Sequence, residues 1–341
     1  MVDGDDGQLA TDGTPAIRLL AMMLGVTTTQ SIGLAAQLGI ADLLEGGPKT
    51  VDELAVATGA QPRALSQVMR ALTALGVFAE TTRGCYARTP LADLLRTDAP
   101  HSLRGYALLM GSEQFARMWA RLPHAVRTGR SAFEEAFGTD FYAYLRQAPD
   151  FGATFGEAMT SISRQEAAAL RDAYDLSSCR VLVDVGGGRG LLLATLLQAY
   201  PSLRGVLLDL PPVAEGARTL LEAEASRGRY EIVGGSYREA VPPGGDVYLL
   251  KRVLQDQEDE PARGILGRCR AAMADGGRLL VAEPDISTRY GQLFDVFMLA
   301  VLGGRLRSEA EMRDLFAGSG LRLTRTIGTR SALRLFEGVP A

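Results

Sequence analysis

From Cys179 onward, strand-like and helical runs alternate: VLVDV, a helix to Tyr200, GVLLDL, a helix, YEIVGG, DVYLLKRVL, a helix, GRLLVAEP, a helix, then LRLTRTIG and ALRLFEG. Short apolar runs separated by amphipathic helices pair in parallel and are covered on both faces, which predicts a mostly parallel α/β sheet over 178–341. The last two runs are close together, so an antiparallel hairpin at a sheet edge is expected.

The upstream half has a different character. The stretch from Pro15 to Leu44 is helical in pattern and apolar on more than one face, which demands burial in a core or against another subunit. Over 49–90, Thr50 is placed to cap VDELAVATG, AQPR turns, ALSQVMRALTALG forms a second helix, and VFAETTRGCYART reads as a hairpin with Gly84 near its turn. That order is a helix-turn-helix with a wing. The second helix carries only Arg63 and Arg70 as bases, in a chain of net charge −4. Phosphate contacts need a cluster of bases, so the unit is read as a packing or dimerisation device within 1–105 rather than a nucleic-acid reader. Residues 106–177 read as a helical linker and substrate cap. There Phe155 and Met159 share a helix face, as core or as the wall of an apolar pocket.

Composition narrows the chemistry. The chain is 47% hydrophobic and 22% charged, enough for a sizeable core. Asn is absent, Lys49 and Lys251 are the only lysines, and His101 and His124 are the whole histidine supply. No His-rich metal site can be built from that, and none is expected. Cys85, Cys179 and Cys269 are scattered, which fits a reducing, cytoplasmic compartment. The acidic start MVDGDDGQLATDGTP is the reverse of a secretory signal and reads as a flexible arm over 1–13; no run is apolar enough to span a membrane.

The most specific motif is DVGGGRG, with Asp184, Gly186, Gly188 and Gly190 at a predicted strand-to-helix turn. Glycines there let a ligand approach the backbone and leave helix N–H groups pointing at it. Asp209 ends the next strand, roughly 20 residues on, where an acid takes the hydroxyls of a ribose. The pair implies an adenosine-containing cofactor. A dinucleotide fingerprint would need a sixth-position glycine, and Leu191 stands there. The spacing is instead that of the DxGxGxG loop of S-adenosylmethionine binders.

These residues, with LLDLPPV (207–213), GGSYREAVP (234–242), DVYLLKRVLQD (246–256), GRLLVAEP (277–284), FDVFMLAVLGGRLRSEAEMRDLF (294–316) and LPHAVRTGRSAFEEAFG (122–138), resemble the plant-type and bacterial O-methyltransferases of small aromatic and polyketide metabolites. The resemblance covers nearly the whole chain. It implies a Rossmann-like α/β catalytic domain, a mostly helical winged-helix dimerisation domain, a homodimer, and S-adenosylmethionine as cofactor with S-adenosylhomocysteine as product. Carried over by position, it puts Gly186 and Gly188 near the methionine part of the cofactor, Asp209 on the ribose, Ser236 and Tyr237 beside the adenine, and Lys251 near the ribose or carboxylate end. Asp184, Leu210 and Arg252 join the same group. Lys251 also ends an apolar strand, so it either meets an anion, such as a cofactor carboxylate, or snorkels at the edge.

Two departures stand out. Ser236 replaces an aspartate usual in the family. Gln255-Asp256-Gln257 stands where the family commonly has His-Asp-Trp, whose His takes the acceptor's proton; a second family carboxylate falls on Leu306, and Glu283 keeps an acid. A carboxamide orients by hydrogen bonds but is no base near neutral pH. Gln255, Asp256 and Arg307 are therefore expected to orient the acceptor, with Glu283 and Asp295 as further candidates. Asp256 is a weak base or, more simply, a helix cap. His124 is expected to be structural. The acceptor pocket is expected to be lined by Phe155, Met159, Phe294, Met298 and Leu299. The reading is a methyltransferase of secondary metabolism working mainly by proximity. The alternative is an enzyme of the same fold that retains the methyl group, as a cyclase, isomerase or hydroxylase-like catalyst.

Overall fold

The computed structural model describes residues 14–224 and 228–341, so the arm expected over 1–13 lies outside the described residues. The described residues form two compact units, those up to 116 with 145–161, and those of 117–144 with 162–341. The segment 106–177 is thus shared between them.

In the first unit the apolar stretch 15–44 is three helices, Pro15–Met23, Gly25–Gln37 and Ile40–Leu43. Thr50 caps Val51–Thr58 as expected: its hydroxyl accepts from the Glu53 N–H at 3.3 Å while the Glu53 carboxylate accepts from the Thr50 N–H at 2.7 Å. The helix Pro62–Ala74 follows, then β2 (Phe78–Thr82) and β3 (Cys85–Arg88), with β1 (Lys49–Thr50) completing a sheet of order β1-β3-β2. Gly84 turns the wing at φ 75°. Leu54, Leu65, Met69, Leu72, Phe78 and Tyr86 close the core beneath it.

The second unit is built on seven strands: β4 (Val181–Val185), β5 (Arg204–Asp209), β6 (Tyr230–Gly234), β7 (Gly245–Lys251), β8 (Met273–Pro284), β9 (Leu321–Gly328) and β10 (Leu333–Pro340). Their order is β6-β5-β4-β7-β8-β10-β9. The first five run parallel; β10 is antiparallel to both β8 and β9, the expected edge hairpin. Both faces are buried, and side-chain alternation divides each strand between two cores. Leu182, Val247, Leu249, Leu280 and Ala282 face one core with the helix Leu191–Ala199. Val183, Val185, Tyr248, Leu250, Leu279 and Val281 face the other with Asp259–Ala272 and Glu309–Ala317. Each fully buried Leu or Val contributes about 2 kcal/mol relative to exposure. The chain enters at β4, runs outward to β6, then crosses back to β7 on the other side of β4. That reversal makes the carboxyl ends of β4 and β7 the crevice where such sheets bind ligands.

Candidate active site

The turn after β4 is shaped by glycine. Gly186, Gly188 and Gly190 have φ of 73°, 59° and 78°, a region side chains rarely enter. The Gly186 N–H donates to the Leu208 carbonyl at 2.8 Å, tying the turn to β5. A Cβ on Gly187 would stand 2.8 Å from Asp184 Oδ2, whereas one on Gly188 would meet nothing within 4 Å, so the turn is packed below and open above. Gly190 begins the helix Leu191–Ala199 with no side-chain cap.

Asp209 braces this turn. Its Oδ2 accepts from the Gly188 N–H at 2.8 Å and its Oδ1 from the Leu210 N–H at 2.7 Å. Each oxygen keeps a lone pair for a further donor such as a diol hydroxyl. Burial raises its pKa against those two N–H groups. Asp184 is fully buried, and its Oδ2 has no partner among the described residues. Burial pushes this carboxyl up to about 7, with the Lys251 charge opposing. Tyr237 lies beside the turn, its ring 3.5 Å from where a Gly186 Cβ would be. Burial, then the charge of Asp256, pushes its phenol up to about 12. Ser236 accepts from the Arg238 N–H at 3.2 Å, inside its own turn. An open glycine turn, an orphaned buried carboxyl and a half-open carboxylate one strand on fit an adenosyl cofactor.

Lys251 corrects one expectation. Its anionic partner comes from the chain itself: Nζ donates to Glu166 Oε2 at 3.3 Å and to Ser163 Oγ at 2.9 Å. Arg252 donates to Glu166 Oε1 through Nε at 2.9 Å and Nη2 at 2.6 Å, and its guanidinium lies 5.0 Å over the Phe294 ring. Burial raises the Glu166 carboxyl, but Arg252 and then Lys251 outweigh it and the net shift is downward. Arg252 is the one non-glycine residue at positive φ among those described, at 57°. Such strain costs of order 1–3 kcal/mol and persists only where neighbours over-determine it.

Across the crevice, a short 3₁₀ turn, Leu254–Asp256, follows β7. A Cβ on Gly186 would lie 2.9 Å from Val253, so this turn adjoins the glycine turn. Glu283, at the end of β8, accepts from the Leu254 N–H at 2.8 Å and the Gln255 N–H at 3.3 Å through Oε1. Its Oε2 and the Gln255 Oε1 are buried without a partner among the described residues. Burial, then the nearby Asp256 charge, pushes Glu283 up to about 8. The Gln255 Nε2 donates to Met298 Sδ at 3.6 Å.

Asp256 is no helix cap. Its Oδ2 accepts from the Tyr142 hydroxyl at 2.7 Å, while the next helix, Asp259–Ala272, starts at Glu258 with no side-chain cap. Burial pushes Asp256 up to about 6, against hydrogen bonds from Tyr142 and Gln255. Arg307 is also corrected. This buried guanidinium donates to the Leu254 carbonyl at 2.7 Å, the Gln257 carbonyl at 2.6 Å and Asp259 Oδ1 at 2.9 and 3.0 Å. All three nitrogens bind protein, so Arg307 clamps the 254–259 loop from behind instead of facing an acceptor. Asp295 accepts from the Leu306 N–H at 2.6 Å and anchors the same segment. On the helix Arg289–Leu302, Phe294 stacks with Tyr290 at 5.7 Å, Met298 is buried and Leu299 is half-buried. Phe155 and Met159 are half-buried in the first unit. His124 lies in Leu122–Thr128 with Nδ1 3.5 Å from Glu135. Sequence reasoning missed Tyr142, Glu166 and Ser163, which carry no local motif. Among the described residues no group of acidic, His or Cys side chains could hold a metal.

A doubly wound sheet with a DxGxGxG turn after its first strand and an acid ending its second fits an S-adenosylmethionine-dependent methyltransferase, and that is the class of this protein. Within that class the chain belongs to the O-methyltransferase family: residues 119–322 match its O-methyltransferase domain and residues 20–98 its dimerisation domain. The chain is 42% identical over 327 residues to phenazine O-methyltransferase PhzM of Lysobacter antibioticus, covering 94% of this chain and 95% of that one. It is 41% identical to 3-amino-4-hydroxybenzoate 4-O-methyltransferase of Streptomyces cremeus, covering 93% and 88%. Among solved structures, CalO1, a methyltransferase of calicheamicin biosynthesis bound to S-adenosylhomocysteine, superposes with a TM-score of 0.88 at 36% identity, covering 97% and 100%. These relatives transfer methyl groups, so the methyl-retaining alternative is not favoured.

Proposed function

We propose that this enzyme methylates a hydroxyl of a small aromatic intermediate of secondary metabolism, with Gln255 and Asp256 orienting the acceptor. The observation that carries the reading is the adjacency of the open glycine turn and the 254–257 turn at the sheet reversal, Gly186 against Val253. Bound S-adenosylmethionine supplies an electrophilic methyl group on a sulfonium, already strongly activated. Asp184, Gly186, Gly188, Asp209, Leu210, Ser236 and Tyr237 would hold it, with Lys251 and Arg252 fixed behind by Glu166. The chain's own contribution is placement. Gln255 Oε1 accepts the acceptor's O–H, and Glu283, held neutral near pH 7, offers a donor beside it. Held in line, the reacting groups gain effective molarities of order 10⁵ M or more. The apolar helix carrying Phe294, Met298 and Leu299 keeps a flat aromatic acceptor dry, and the substrates named for the relatives above are aromatic.

The test is a panel of hydroxyaromatics incubated with S-adenosylmethionine. Stoichiometric S-adenosylhomocysteine and methyl ether are expected; a converted substrate without S-adenosylhomocysteine would overturn methyl transfer.

The enzyme is further read as a cytoplasmic homodimer acting without nucleic acid or membrane. In support, Ile17, Leu19, Leu20, Met22, Met23, Leu24 and Val26 are 54–66% exposed in the single chain, an apolar face that calls for a partner. Among the described residues no single helix is long and apolar enough to cross a membrane; Pro15–Met23 and Gly25–Gln37 pass that test only together, bent by 41°.

A further inference from the structure

We propose that Tyr142 is a positioning residue for methyl transfer: its hydroxyl holds the Asp256 carboxylate as the proton acceptor for the acceptor molecule's O–H. The inference rests on the proposed O-methylation and extends it.

Three observations carry it. The Tyr142 hydroxyl reaches Asp256 Oδ2 at 2.7 Å from a helix, Phe141–Gln147, that lies 114 residues earlier in the chain. Asp256 has no role in starting the next helix, and among the described residues no arginine neutralises it by a direct ion pair. Next to it, Gln255 presents a buried oxygen without a partner among the described residues. An acceptor hydroxyl brought to the turn by that oxygen lies beside the one ionised carboxylate there, and rotation about its C–O bond turns its proton from Gln255 Oε1 to Asp256.

The groups facing Asp256 come from four places in the fold. They are Tyr142, Tyr237 and Arg238 after β6, Arg252 and Gln255 after β7, and Glu283 at the end of β8. Both phenols are pushed up by burial and remain protonated, so each is a donor and not a competing base. Glu283 is neutral near pH 7, which leaves Asp256 as the carboxylate able to take a proton. In the step, the hydroxyl oxygen uses a lone pair to form the bond to the methyl carbon. The carbon–sulfur bond breaks with its pair to sulfur. The hydroxyl proton moves to Asp256 and from there to water.

The hydrogen bond from Tyr142 stabilises the ionised Asp256, so its removal raises the carboxyl's pKa. In Tyr142→Phe the acid limb of kcat/KM is expected to move up by about one pH unit. Turnover then falls about fivefold near pH 6 and hardly at pH 8. Asp256→Asn is expected to abolish that limb and lower kcat at least 10²-fold, a typical loss for a missing proton acceptor. Calorimetric affinity for S-adenosylhomocysteine is expected to stay within twofold of wild type in both variants. An equal loss at every pH in Tyr142→Phe, an unmoved limb, or an Asp256→Asn variant that keeps its acid limb would overturn the proposal. A wild-type enzyme that binds S-adenosylhomocysteine but methylates no hydroxyaromatic would instead overturn the O-methylation on which it rests.

Discussion

Glu283 shows how burial and hydrogen bonding divide one side chain. Oε1 is fixed by two backbone N–H groups, Oε2 is buried without a partner among the described residues, and the carboxyl is held neutral near pH 7. Its folded pKa of about 8 lies above the unfolded value of about 4.3. The stability it contributes is therefore fully present below about pH 4 and is lost as pH rises through 8. Glu283→Gln keeps the acceptor for Leu254 and Gln255 and removes that loss. The variant's melting temperature relative to wild type is expected to rise from pH 5 to pH 8; a flat difference would show that the carboxyl is not held neutral. On the proposed reading Gln255 acts through orientation, so Gln255→Ala is expected to lower turnover about tenfold, or about 1.4 kcal/mol. A collapse of several orders of magnitude in steady-state assays would mean that the amide does more than orient.

The 254–257 turn is held from both sides. Glu283 bonds its amides, while Arg307 and the Arg305 N–H bond its carbonyls. The segment 303–307 can approach this closely because residue 304 is glycine: a Cβ there would overlap the Gln255 carbonyl oxygen. Overpacking of this kind costs about 1–3 kcal/mol. Gly304→Ala is thus expected to lower the melting temperature and cut turnover several-fold, with cofactor affinity unchanged by calorimetry. Unaltered turnover would mean that the clamp does not set the turn. The Leu306 side chain, singled out as a lost carboxylate, is buried, and its N–H is anchored by Asp295. In this segment, backbone placement is what serves the turn.

At the scale of the molecule, the proposed homodimer would cover the exposed apolar face of Pro15–Val26, since water contact over so many leucines and methionines is unfavourable. Leu20→Glu with Leu24→Glu is expected to turn a dimer into a monomer in light scattering; a dimer that survives would place the interface elsewhere. The glycine turn and Asp209 were legible in the sequence because they are successive punctuation of one strand–helix–strand unit, and the short apolar runs such as VLVDV and DVYLL, separated by helices, foretold a sheet covered on both faces. The winged helix was legible too, since the Thr50 cap and Gly84 turn are local backbone chemistry. Tyr142 with Asp256, Glu166 with Lys251 and Arg252, and Arg307 behind Leu254 were not. Their separations of 114, 85, 86 and 53 residues are bridged only by packing. Dihedral preference and hydrophobic period act between near neighbours, and they settled the strand–helix alternation and the glycine turn. Which charge meets which carboxylate across the crevice depends on how helices settle on the sheet, and only the folded chain decided it.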